Sequence, residues 1–320
     1  MRYTRREFGR IVAATLPVGA GLQRANAFAQ ASKPNSTING VRLGTITYSY
    51  RSMPDQSAEA ILGYVLATGI SEIEFMGGPV EAFAGAPQPV RLGRGRGQSA
   101  APEQQAAQRD AADQLRAWRT SVSMDRFKTL RQMFNDAGVT IYAWKQLDPR
   151  MSDAEMEYVF NVAEALGCTH TTLELTDDPA HLKRIGQFAE KKKIYAAYHT
   201  HLQGSMSAFD QAFALSRGNM ANVDLGHFVA AGGDPVAFIR KFNGRISSVH
   251  LKDRTTPANG QRNLPWGTGD TPLKDILLTM RREKHAYPAS IELEYAVPSG
   301  SDAVKETTKC FEYCKAALAG

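Results

Sequence analysis

The sequence predicts a single α/β domain of the (β/α)8 barrel class, with an extended loop insertion after the second strand. Eight short runs with strand periodicity recur along the chain, nearly all separated by runs with helical periodicity. Strict alternation of this kind implies parallel strands joined by crossover helices. Eight such units fit the fewer than 300 residues that follow an N-terminal leader, which is the arithmetic of a barrel. The alternative, an open doubly wound sheet, lacks support because no glycine-rich phosphate fingerprint follows the first strand.

The elements follow in order. Residues 1–31 read as a leader: Thr4-Arg-Arg-Glu-Phe-Gly-Arg10, an apolar run over 11–20, then the small residues Ala27-Phe-Ala29. This three-part pattern resembles a twin-arginine export signal and predicts a periplasmic or secreted protein. The apolar run is too short to remain as a membrane span. A polar linker over 32–40 leads to the first strand, 41–48. A helix over 57–67 stops at Gly69. The second strand, 71–75, carries Glu72 and Glu74 on one face. Residues 77–121 break the rhythm with Gly-Gly-Pro, Ala-Pro-Gln-Pro and the run Arg91-Leu-Gly-Arg-Gly-Arg-Gly97, and read as a solvated insertion with a surface helix near 101–118.

Regular alternation resumes with a helix over 125–134 ended by Gly138, and a third strand over 139–145. Ser152 and Glu155 form a capping box for a helix ending at Leu166. The fourth strand is 169–175, followed by a helix over 178–192. The fifth strand is 193–201, followed by a helix over 208–217. The sixth strand spans 221–225, and Asp234 caps a helix over 235–242. The seventh strand, 246–253, leads through a long loop to a helix over 273–284. The eighth strand spans 289–295, and a last helix over 302–318 ends the barrel domain, 41–320.

Charge and cysteine content exclude several classes. Of six net positive charges, four lie in the leader, which holds five arginines and one glutamate. The remainder is too weakly basic for nucleic acid, and no segment suggests a membrane anchor. Cys168, Cys310 and Cys314 form no disulfide framework and read as small packing residues.

The chemistry concentrates at the C-terminal strand ends, where barrels of this class carry their reactive groups. On the seventh strand Val249 and Leu251 fall on one face, and Ser248, His250 and Lys252 on the other. Asn222 and Asp224 share a face of the sixth strand; Ser290, Glu292 and Glu294 share one of the eighth. The full set of strand-end groups is Glu74, Lys145, Glu174, His199, His201, Asp224, His227, His250, Lys252, Glu292 and Glu294. Inward carboxylates are costly unless paired or metal-bound. Carboxylates mixed with imidazoles suit one divalent ion of intermediate hardness, Mn2+, Zn2+, Co2+ or Fe2+, better than Mg2+. The other reading of the same residues is an internal layer of ion pairs with Lys145 and Lys252.

The ordered motifs Tyr198-His-Thr-His201, Val223-Asp-Leu-Gly-His227, Val249-His-Leu-Lys-Asp253, Trp266-Gly-Thr-Gly269 and Ile291-Glu-Leu-Glu-Tyr295 resemble the xylose isomerase-like TIM-barrel superfamily, in particular exported sugar phosphate isomerases/epimerases. The resemblance covers about residues 41–318. It implies a one-metal site with ligands His199, Asp224, His250 and Glu294, with Glu292 as the close alternative. His199 stands where the family has a glutamate, and Glu174 on the neighbouring strand is a candidate to supply that carboxylate. It further implies catalytic roles for Glu294, Glu174, Lys252 and His227, and substrate contacts from Lys145, His201, Trp266 and Glu292. The implied reaction is isomerisation or epimerisation of a small sugar or keto-sugar by proton abstraction beside a carbonyl. Elimination from a keto-glycoside, or sugar binding without catalysis, are the alternatives. A phosphodiesterase acting on nucleic acid is disfavoured by the low charge of the mature chain.

Overall fold

The computed structural model describes residues 33–87 and 102–320. The leader (1–31) and the Arg/Gly run (91–97) lie outside the described residues. Eight parallel strands close in chain order: β1 (Val41–Ile46), β2 (Glu72–Met76), β3 (Thr140–Lys145), β4 (His170–Glu174), β5 (Tyr195–His199), β6 (Asn219–Asp224), β7 (Ile246–Leu251) and β8 (Ala289–Ile291). β8 pairs back onto β1 through Leu43↔Ala289 and Thr45↔Ile291, so the barrel leaves no free sheet edge.

Local signals set the crossover helices. Ser57 caps Ala58–Thr68, and Gly69 ends it at φ 75°. Ser152 and Glu155 form the expected capping box at the start of Asp153–Leu166. Asp178 and Asp234 cap Pro179–Lys192 and Pro235–Lys241, each with proline in the first turn. The apolar strand faces pack outward on these helices. Val249 and Leu251 are fully buried there, each contributing about 1.5–3 kcal/mol. The inward face is polar instead: Glu74, Thr172, Asn222, Ser248 and His250 are all fully buried. The three cysteines are free and buried. Among the described residues, no helix is long and apolar enough to cross a membrane.

Four local features differ from the sequence expectation. The 32–40 linker contains a strand, Thr37–Ile38, that returns on β1 through Asn39 (φ 48°) and Gly40 (φ 83°). Asn-Gly with two positive φ values is the preferred two-residue hairpin turn. Asn39 also donates to the Leu318 carbonyl at 2.8 Å, beside the end of the last helix, Ala303–Ala319. Second, part of the 77–121 insertion is a helix, Gly77–Ala84, directly after β2. Pro79 falls in its first turn, where a missing N–H costs nothing. A Cβ on Gly77 would lie 1.6 Å from the Gln146 side-chain oxygen and 3.0 Å from the Lys145 carbonyl oxygen, so a larger residue there displaces the Gln146 side chain. Helix Pro102–Arg119 then docks through Arg119, which bonds Glu81 at 2.8 Å. Third, a short helix, Leu225–Ala230, starts immediately after β6 with Asp224 as its cap. Fourth, β8 stops at Ile291, so Glu292 and Glu294 lie beyond its last paired residue.

Candidate active site

Four strand ends converge on one buried group. His199 from β5, Asp224 from β6, His250 from β7 and Glu292 just past β8 offer ligand atoms within 4.8 Å of one another. Each is 5% exposed or less. The donor set is two imidazoles and two carboxylates, which suits a divalent cation. Two buried atoms support the fit. His199 Nδ1 has no hydrogen-bond partner among the described residues. Asp224 Oδ2 lies 2.9 Å from Lys252 Nζ but off the line of a hydrogen bond. Burial, with Lys145 and His250 nearby, holds the His199 pKa well below its ordinary value, so it is a neutral imidazole with a lone pair to give.

Asp224 has a second task. Its Oδ1 accepts the His227 backbone N–H at 2.7 Å, so the oxygen that caps the short helix is not the one that faces Lys252.

Behind the group stands Glu74 of β2. It accepts from Thr172 Oγ1 at 2.6 Å, Asn222 Nδ2 at 2.8 Å and His250 Nε2 at 2.8 Å. His250 Nδ1 donates to Glu292 Oε2 at 2.8 Å. With carboxylates on both ring nitrogens, His250 is held as an imidazolium in the cation-free protein, and it joins the donor set only by giving up the Nδ1 proton that it shares with Glu292. Burial opposes its charge, but Glu74 and Glu292 raise its pKa to about 10. Burial likewise pushes Glu74 up, yet His250 and Lys145 hold it at about 2.

This pair fixes a pH signature for the cation-free protein. The His250 pKa is raised from 6.5, so its contribution is full below that pH and is lost as pH rises through about 10. The Glu74 pKa is lowered from 4.5, so its contribution is full above that pH and is lost as pH falls toward about 2. Thermal midpoints measured across pH are expected to fall on both sides of that interval. Glu74→Gln should remove its part of the acid limb and move the alkaline limb to lower pH; an unchanged profile would refute the pairing.

Around the group lies a ring of charge. Lys252 is 2% exposed. Its ammonium sits 2.7 Å from Glu294 Oε2, 2.9 Å from Asp224 Oδ2 and 3.3 Å from Glu292 Oε2. Burial lowers its pKa, but the three carboxylates win and raise it. Burial pushes Glu294 up, while His227 and Lys252 bring it to about 2. His227 Nδ1 accepts from Arg254, which leaves its proton on Nε2, 3.7 Å from Glu294. At the rim, Glu174 bonds Lys145 at 2.8 Å and His201 Nδ1 at 3.0 Å. His201 is half-exposed, its ring centre 5.2 Å from His199 and 4.6 Å from His227. The bond to Glu174 raises the His201 pKa despite partial burial. Burial pushes Glu174 up, but His201 and Lys145 bring it down.

Two expected residues take other partners. Glu294, preferred over Glu292 as the eighth-strand ligand, is outside the four-residue group; alternation places both on one face, but Glu292 turns in to His250 while Glu294 is taken by Lys252. Trp266 packs edge-on against Tyr313 of the last helix, 5.8 Å between ring centres. Its Gly-Thr-Gly neighbours seat Asp253. Asp253 Oδ2 accepts the backbone N–H of Gly267 at 2.8 Å, Thr268 at 3.1 Å and Gly269 at 2.9 Å. A Cβ on Gly269 would come within 2.3 Å of Asp253 Oδ1 and 3.1 Å of the Arg254 carbonyl oxygen, so position 269 favours glycine. Sequence reasoning places Glu74 at a strand end and Asn222 on the polar face of the sixth strand, but neither as a partner in this network, and it misses Thr172 and Arg254. Neither Thr172 nor Arg254 carries a local sequence signal for its role.

Residues 113–314 match the family described as xylose isomerase-like TIM barrel. Over 88 residues the chain is 31% identical to inosose dehydratase of Clostridium tetani, covering 26% of this chain and 30% of that protein. The chain thus matches less than a third of the length of these curated relatives. A sugar phosphate isomerase/epimerase from Parabacteroides distasonis superposes with TM-score 0.55 and 16% identity, over 88% of this chain and 96% of that one. D-Psicose 3-epimerase from Clostridium cellulolyticum superposes with TM-score 0.58 and 9% identity, over 87% and 99%. At such identities the likeness concerns the fold alone.

Proposed function

The chain belongs to the xylose isomerase-like TIM-barrel family, and from that premise we propose that it is a divalent-metal-dependent enzyme that removes a proton beside the carbonyl of a sugar or keto-sugar. The observation that carries this reading is the buried group His199, Asp224, His250 and Glu292 at the barrel mouth, with an acid–base pair and an ammonium around it. A cation of the Mn2+, Zn2+, Co2+ or Fe2+ type held there supplies Lewis acidity to the substrate's oxygens.

The chain's own residues do the rest. Glu174 accepts a hydrogen bond from His201 Nδ1–H, so the neutral ring carries its lone pair on Nε2. It accepts the carbon-bound proton. The electron pair moves into the carbon–carbon bond, and the carbonyl oxygen gains negative charge, which the Lys252 ammonium stabilises. Return of the proton to the other face or to the neighbouring carbon gives epimerisation or isomerisation. Glu294 is a poorer base here, because a carboxyl held at about 2 has little proton affinity at neutral pH.

A second reading is dehydration or glycoside elimination, favoured by the identity to inosose dehydratase. In that case the protonated His201 delivers its proton to the departing oxygen. The leader extends the proposal to export and to substrates outside the cytoplasm.

The test is metal analysis of purified protein followed by incubation with aldoses, ketoses, inososes and keto-glycosides in deuterated water. Deuterium at the carbon beside the carbonyl is expected in substrate or product. Tight sugar binding with no exchange and no elimination would leave a binding protein instead.

A further inference from the structure

The ammonium of Lys252 competes for the same oxygens as the proposed cation. Two of its three partners, Asp224 Oδ2 at 2.9 Å and Glu292 Oε2 at 3.3 Å, belong to the four-residue group. Its shortest contact, 2.7 Å, is to Glu294, which stands outside that group. The lysine cannot withdraw to solvent easily. It is 2% exposed, and its backbone is pressed against the helix after β6: a Cβ on Gly226 would lie 2.5 Å from the Lys252 carbonyl oxygen and 2.8 Å from its Cβ. When a divalent ion takes Asp224 and Glu292, the ammonium loses two partners and gains a like-charged neighbour. One carboxylate remains to hold it, and that carboxylate is itself oriented by Asn263 Nδ2 at 3.4 Å and by His227 Nε2 at 3.7 Å.

We propose that Glu294 is the counter-ion that receives Lys252 when a divalent cation occupies Asp224 and Glu292, so that Glu294 governs cation affinity through Lys252 and not as a ligand. Glu294 is in this sense a positioning residue. It keeps the ammonium in the mouth, beside the substrate's oxygen, instead of leaving it to contest the cation's ligands. The inference rests on the cation site proposed above.

A double-mutant cycle read as Mn2+ affinity tests it. Mn2+ binding is measured by titration calorimetry on the mature protein for wild type, Glu294→Gln, Lys252→Met and the double variant, with thermal melts as the check on folding. Glu294→Gln is expected to weaken Mn2+ binding about 10- to 100-fold, the range for partners outside the ligand shell. Lys252→Met should bind Mn2+ at least as tightly as wild type. The double variant should match Lys252→Met, because the effect of Glu294 vanishes once the lysine is gone. If Lys252→Met does not fold, Lys252→Gln takes its place in the cycle. An equal loss from Glu294→Gln with and without Lys252 makes Glu294 a ligand and overturns the inference while leaving the cation site intact. Absence of Mn2+ uptake in wild type and every variant overturns the cation site and this inference together.

Discussion

Asp224→Ala is expected to lower divalent-cation affinity more than any other single change in the barrel. It removes a carboxylate from the proposed cation group that also holds His199, His250 and Glu292. Outer partners of metal ligands typically cost 10- to 100-fold in affinity, so loss of a direct ligand should exceed about 100-fold. Alanine also removes the cap that accepts the His227 N–H at 2.7 Å, which costs about 1 kcal/mol. Asp224→Asn separates the two effects. Asparagine caps a helix as well as aspartate, so it should keep the thermal midpoint of the cation-free protein close to wild type while still losing charge and affinity. Metal content by elemental analysis, with melts of the cation-free variants, reads both quantities. Full occupancy in either variant would remove Asp224 from the site.

The second large effect concerns His201. His201→Ala should lower the rate of solvent hydrogen exchange roughly 100- to 10,000-fold, the range for a general base, with cation content unchanged. Its position at the rim, half-exposed and bonded to Glu174, makes a folding defect a poor explanation for such a loss. The pH profile gives a finer reading. A base must be neutral, so activity rises with pH through the His201 pKa, which Glu174 raises above 6.5. Glu174→Gln removes that support and should move the rising limb to lower pH. A His201→Ala variant with wild-type exchange would return the role of base to Glu294.

The barrel was legible because its signals are local and repeated. Period-two runs mark the strands, glycine stops precede β2, β3 and β4, and alternation alone puts Asp224, His250 and Lys252 on polar faces. The eighth strand was harder. Alternation gives Glu292 and Glu294 the same face, and only the end of pairing at Ile291 and the competition between His250 and Lys252 separate them. Helix Gly77–Ala84 was unreadable for the opposite reason: Gly-Gly-Pro is a turn signal, and the contacts that override it, Glu81 with Arg119 and Tyr158, come from distant segments. The Glu74–His250 bond joins residues 176 positions apart. No sequence pattern announces such a pair, because closure of the barrel alone creates it. The Asn39-Gly40 turn, by contrast, is a plain hairpin signal within the segment read as linker.

That turn has a topological consequence. Asn39 reaches the Leu318 carbonyl at 2.8 Å, and Arg281 donates to the same carbonyl at 2.8 Å, so the first and last described elements meet beneath the barrel, on the face opposite the mouth. The folded domain is close to a ring that happens to be cut there. A short tether could join the two ends, and a new break could be opened elsewhere, without separating any pair of strands. The order of the eight units along the gene is therefore one of several that this set of contacts would accept.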